Sequence, residues 1–218
     1  MSSLLYLLQL VSPSLPVGAY SYSEGIETLV TENKIKNALT LQDWLEGELN
    51  WGSIRLDTAI VLRSYSQNSL DYWNQWLSAV RETQELRDMS HQMGYSLLRL
   101  IASCEPVLHQ RLIIELSDSP VNFAVIFGAL AGYWQIPLPD TILGYLHSWA
   151  NNLVGAGLKL IPLGQTEGQK ILITLQPTLL KTRQEVLTIE DEELFSCGWG
   201  LSLASMTHAN LYSRLFRS

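Results

Sequence analysis

Between Ser119 and Thr166 the chain carries only two formally charged side chains, Asp140 and Lys159. So long a stretch with so little to offer water must be hidden, either at the centre of a helical bundle or as half of a subunit interface. It reads as a hairpin of two helices. In the first, Phe123, Phe127, Ala131 and Trp134 recur at helical spacing, behind a Ser119 cap with Pro120 at the first helical position. Gly128 and Gly132 stand four apart, so a neighbouring helix can come close there. The helical part, about 121–136, falls short of the ~20 residues that a bilayer span needs and carries Asn122 and Gln135. Pro139 opens the second helix, which runs from Asp140 to about Lys159 with Leu146, Ala150, Leu153 and Gly157 inward. Lys159 at its C-terminal end complements the helix dipole.

The rest of the chain is helical in the same way. Leu4 to Val11 is a short helix lying on the body; no Lys or Arg precedes it and Pro13 ends it, so it does not read as a signal peptide. Thr40 with Asp43 fits a capping pattern ahead of Leu41, Trp44, Leu45 and Leu49. Gly52 and Ser53 interrupt that run, and Gln67 to Ser69 form a turn. From Arg81 to Ala102, Leu86, Met89, Met93, Leu97 and Ile101 share one face, with Arg81, Glu85, Arg87 and Asp88 on a solvated opposite face. Thr166 with Gln169 caps a further helix that Pro177 kinks or breaks. Thr188 and Asp191 cap the last long helix, in which Trp199, Leu203 and Met206 face inward. No strand-rich portion or repeat interrupts the series. The fold class is all-α, a single-domain bundle of roughly ten helices over 1–218, with an N-terminal arm and turn at 1–19 and a docking tail at 208–218.

Chemistry is hard to find. The charged fraction is 16%, so large apolar faces are buried inside or against another chain, and the net charge of −7 repels nucleic-acid backbones. No phosphate-binding G-x-x-x-x-G-K-[ST] loop and no G-x-S-x-G elbow is present. His91, His109, His147 and His208 are dispersed, without a second ligand at metal spacing; His208 is a weak metal candidate only through symmetry in a dimer. The carboxylates read as lying on charged faces, where nothing shifts their ionisation. Cys104 and Cys197 read as reduced core thiols.

Two features at the ends point to contact instead of catalysis. Ser12 to Leu29 is a rigid turn built on Pro13, Pro16 and Gly18, with Tyr20 and Tyr22 beside it, feeding a helix through Gly25. From Leu194 onward there is no acid, and Arg214 and Arg217 bracket Leu215 and Phe216. An apolar, basic tail gains nothing from hanging in water, so it docks, onto its own body or into a partner's groove.

Residues 12–27, S-P-S-L-P-V-G-A-Y-S-Y-S-E-G-I-E, resemble the N-terminal signature of the urease accessory protein F (UreF) family. R-E-T-Q-E-L-R-D at 81–88, V-G-A-G-L-K-L-I-P-L-G-Q at 154–165 and Y-S-R-L-F-R-S at 212–218 resemble its later motifs, in the right order along nearly the whole chain. Ala209 follows His208 where the family's tail has an acid, and Ile26 stands in place of Leu. The resemblance implies an all-helical, cytoplasmic, homodimeric protein that is not an enzyme. It implies an adaptor that joins a UreD/UreH-type accessory protein and a UreG-type GTPase to deliver nickel to apo-urease. Nucleotide and its Mg²⁺ then belong to the GTPase, and no cofactor to this chain. By the same resemblance Arg214, Leu215, Phe216 and Arg217 are partner anchors, Tyr20, Tyr22 and Glu24 partner-facing surface, and Lys159 a contact at the GTPase face. The alternative is a regulator of GTP hydrolysis, with an arginine supplied in trans.

Overall fold

The computed structural model describes residues 2–116, 119–196, 198–208 and 210–217, and eleven α-helices without a strand are found among them. They are α1 (Ser3–Leu10), α2 (Ile26–Thr31), α3 (Ala38–Trp51), α4 (Ser53–Tyr65), α5 (Leu70–Val80), α6 (Gln84–Cys104), α7 (Pro106–Leu116), α8 (Phe123–Tyr133), α9 (Leu138–Leu160), α10 (Gln165–Thr188) and α11 (Trp199–His208). The sparsely charged hairpin is α8 and α9, with Asp140 and Lys159 in the first and last turns of α9. Every residue of α8 from Ala124 to Ala131 is buried, with α4, α6 and α9 around it. Its two glycines set the closest approach: a Cβ at Gly128 would stand 2.5 Å from the Val61 carbonyl oxygen, and one at Gly132 would stand 2.0 Å from that of Tyr65. The backbones of α4 and α8 therefore touch, and α3, α9 and α10 complete the layer behind them. Among the described residues no helix is long and apolar enough to cross a membrane.

Several helix boundaries differ from the sequence expectation, each for a local reason. Helix α8 does not open at Ser119–Pro120, because the Asn122 side chain is spent tying α5 to α6. Its Nδ2 donates to the Asn74 carbonyl (2.9 Å) and Ser78 Oγ (2.7 Å), and its Oδ1 accepts from Ser90 Oγ (2.9 Å). At α3, Asn37 is the cap and Thr40 stands inside the first turn: Asn37 Oδ1 accepts from the Thr40 N–H (3.0 Å) and Thr40 Oγ1 from the Asn37 N–H (3.2 Å). Helix α10 begins at Gln165 behind Gly164, with no side-chain cap from Thr166, and passes through Pro177 without breaking. Pro177 lies on the exposed face, where water can take up the carbonyl its ring leaves free, while Leu172, Leu175 and Leu179 hold both halves of α10 to the body. Thr188 ends α10 and caps nothing; Asp191 follows in a short 3₁₀ turn and pairs with Arg63 at 2.6 Å.

The largest correction is the phase of α11. Trp199 (74% exposed), Leu203 and Met206 point outward, and Leu201, Ser202, Ala204, Ser205 and His208 point in. Small residues win the inner face because α2 lies against it: a Cβ on Gly25 would stand 2.9 Å from the Ala204 Cβ. Cys104 is also exposed, at the end of α6, and is no core thiol; Cys197 lies outside the described residues.

Candidate functional site

The turn after α1 delivers three of the singled-out residues to one place. Gly18 takes a left-handed conformation (φ +78°) at the start of a short 3₁₀ turn, Ala19–Ser21. Glu24 (φ +47°) and Gly25 (φ +80°) are left-handed in succession, which swings the chain into α2. For Glu24 that conformation is unfavourable by roughly 1 kcal/mol or more, and it is held by the Trp149 Nε1–H, which donates to Glu24 Oε2 at 2.9 Å. Tyr20 is exposed and Tyr22 is buried, so the two tyrosines do not form one surface.

Tyr20, Tyr22, Glu24 and Lys159 all line a single cavity of about 300 Å³, between the N-terminal turn, α9 and α10. Its walls are mostly apolar. Its floor holds an ion pair that sequence reading placed in solvent: Arg81, only 7% exposed, reaches Asp57 Oδ1 through Nη2 at 2.6 Å. Asp57 sits on α4 among Ile54, Leu56 and Ile60, and burial pushes its carboxyl up while Arg81 pulls it down. Burial drives Glu24 up to about 7, despite the Trp149 hydrogen bond, and the Asp57 charge adds to the rise. Glu48, buried on α3, is driven to about 8 by burial and then by the charges of Glu24 and Glu82. The Tyr145 phenol is raised well above 10, first by burial and then by Asp57. The carboxylates are thus not confined to charged faces. Asp57, Tyr145 and Glu24 gather around one buried arginine, and Asp57 above all holds the guanidinium in its charged form against the burial that opposes it.

Beside the cavity lies the tail, folded back onto the body. Phe216 is 6% exposed, with Lys159 Nζ 5.4 Å from the centre of its ring. The Arg217 N–H donates to the Ser21 carbonyl at 2.9 Å. Glu27, on α2, takes the Leu215 N–H on Oε1 at 2.6 Å and the Phe216 N–H on Oε2 at 3.1 Å. His208, the last residue of α11, meets the same Oε2 through Nε2 at 2.8 Å. Burial alone would raise the Glu27 carboxyl; the Leu215 amide, His208 and the Phe216 amide together hold it below its ordinary value. Tyr212, Arg214, Leu215 and Arg217 remain exposed. Among the described residues no three His, Cys, Asp or Glu side chains gather as a metal site, and His208 is engaged by Glu27.

The structure therefore brings Tyr20, Tyr22, Glu24 and Lys159 to one cavity and sets Phe216 and Arg217 at its side. It leaves Arg214 and Leu215 facing out. Sequence reading missed Glu27, Asp57 and Glu48. Asp57 had a signal, a lone acid within an otherwise apolar helix face, which calls for a buried cation. Glu27 had a weaker one, an acid flanked by Ile26 and Leu29 in a short buried helix.

Comparison with known proteins adds a second line. The UreF family model matches residues 35–176. Urease accessory protein UreF of Nostoc sp. is 51% identical over 98% of this chain and 95% of its own length. The protein of the same description from Synechocystis sp. is 50% identical over 100% and 98%, and that of Alkalilimnicola ehrlichii is 37% identical over 97% and 94%.

Proposed function

Since the chain belongs to the UreF family of urease accessory proteins, we propose that it serves urease maturation as a non-catalytic adaptor. It joins a UreD/UreH-type accessory protein through its C-terminal tail and recruits a UreG-type GTPase, in the cytoplasm and as a homodimer, so that nickel reaches apo-urease. Nickel is cargo and GTP with its Mg²⁺ the GTPase's substrate; this chain supplies surfaces.

The observation that carries the reading is the C-terminal end of the molecule. Trp199, Leu203 and Met206 on α11, then Tyr212 and Leu215 on the tail, are large apolar side chains left in water, with Arg214 and Arg217 among them and no acid in the described residues from Leu194 on. Aromatic residues and Arg are the types that dominate binding energy at interfaces, worth ~2 kcal/mol or more each when central. The rest of the chain is acidic, whereas this end suits a partner with an apolar groove rimmed by carboxylates.

Reconstitution tests it. Apo-urease, the UreD-type and UreG-type proteins, nickel, bicarbonate and GTP are mixed with the intact chain, or with a chain lacking residues 212–218. The adaptor reading expects urease activity with the first and little with the second. Equal activation in both would refute it. The exposed guanidinium groups of Arg214 and Arg217 favour the alternative, an arginine acting on GTP turnover. That reading requires faster GTP hydrolysis on mixing with the GTPase, lost in Arg214→Ala or Arg217→Ala; the adaptor reading requires no such change.

A further inference from the structure

Three hydrogen-bond partners converge on the Glu27 carboxylate, itself 6% exposed. Two of them are successive main-chain amides of the tail, Leu215 on Oε1 and Phe216 on Oε2, and the third is His208, at the end of the helix from which the tail departs. An ionised carboxylate only accepts, through two oxygens, and is the side chain best suited to hold donors on both. Pinning two adjacent amides fixes the backbone between them, and with it the direction of each side chain. Phe216 turns in, beneath Lys159, while Leu215, Arg214 and Tyr212 turn out.

We propose that Glu27 is the positioning residue of the C-terminal tail. With His208 it holds the tail in one conformation, in which Phe216 is an anchor to the chain's own body and Tyr212, Arg214 and Leu215 form the face offered to the partner. This rests on the tail-docking reading above and adds which tail residues touch the partner, which one does not, and what arranges them. The face is a guanidinium between a phenol and an isobutyl group, so it fits a partner carboxylate set at the lip of an apolar groove. A tail ordered beforehand loses less freedom on docking, and affinity rises accordingly.

The test uses the full chain. Hydrogen–deuterium exchange of the C-terminal peptide is measured for the wild type and Glu27→Gln, without partner. One amide oxygen replaces two acceptors and the NH₂ group faces a donor, so exchange at residues 215 and 216 is expected to quicken about tenfold or more, the loss of a charge-assisted hydrogen bond. Affinity for the UreD-type protein is expected to fall by about tenfold, and Arg214→Ala and Leu215→Ser to weaken it similarly without changing exchange at Phe216. In a chain lacking residues 212–218, Glu27→Gln is expected to change affinity no further. Unaltered exchange in Glu27→Gln overturns the positioning role, even if the truncation abolishes binding. A Glu27→Gln effect that persists in the truncated chain overturns it as well, by showing that the residue acts through the body. If the truncation leaves affinity unchanged, the tail-docking reading falls and takes the partner-facing half of the proposal with it, while the exchange result still judges Glu27. Should Glu27→Gln fail to fold, His208→Leu, which has no donor, removes one of the same three partners and is read in the same way.

Discussion

Replacing Glu48 with Gln should make this protein more stable, and only at neutral to alkaline pH. Glu48 is buried on α3, its Oε2 has no hydrogen-bond partner among the described residues, and the charges of Glu24 and Glu82 press on it. Its carboxyl is accordingly raised from 4.5 to about 8 in the folded chain. Between those values the folded protein holds a proton that the unfolded chain gives up, so stability falls as pH rises through the window. At about 1.4 kcal/mol per pH unit the full window is worth on the order of 5 kcal/mol. Relaxation of the side chain and entry of water reduce that ceiling, and about 1–3 kcal/mol is the expected gain. Gln keeps the shape and never ionises. Urea unfolding at pH 5, 7 and 8.5 should therefore show near-equal stabilities at pH 5 and a variant ahead by that amount at pH 8.5. In thermal unfolding the gain corresponds to roughly 2–10 °C for a chain of this size. A difference independent of pH, or a variant weaker than the wild type at pH 8.5, would refute the reasoning.

Gly132→Ala places a Cβ 2.0 Å from the Tyr65 carbonyl, which belongs to main chain and cannot rotate away. The cost should be about 1–3 kcal/mol or more in urea unfolding, whereas Gly155→Ala, with open space at its Cβ, should be neutral or slightly stabilising. Trp199→Ser, on the outer face of α11, should leave stability within about 0.5 kcal/mol and weaken partner binding measured by calorimetry; a large loss of stability would show that the ring packs on the body. Because the folded Glu27 lies below its ordinary value, its contribution to tail docking is complete above about pH 4.5 and is lost as pH falls through the folded value, which amide exchange of the tail across pH 3–6, corrected for intrinsic rates, would register.

What was legible in the sequence was what periodicity and punctuation encode. The sparsely charged α8–α9 hairpin, the glycine contact with α4, the break at Gly52 and the left-handed Gly18 all follow from composition and local sterics. What was not legible depended on which chain segment lies opposite. Trp199, Leu203 and Met206 have the spacing of a core stripe, but α2 approaches the small-residue side through Gly25, and the stripe is left outside. Arg81 stands beside Glu82 and ahead of Glu85 in a charged run, yet Asp57, twenty-four residues earlier in the sequence, draws it inside. The tail was legible as something that docks. That Phe216, of the described residues 212–217, is the one that turns inward required Glu27, whose partners lie at the other end of the chain.

Binding of the purified chain to a UreD-type accessory protein, measured by calorimetry with the intact tail and with residues 212–218 removed, bears on the adaptor account more directly than any other observation. The account predicts a stable complex for the intact chain and at least a hundredfold weaker binding for the shortened one, about 2.7 kcal/mol of lost contact. Equal affinity of the two chains, with the shortened one still folded, would contradict it.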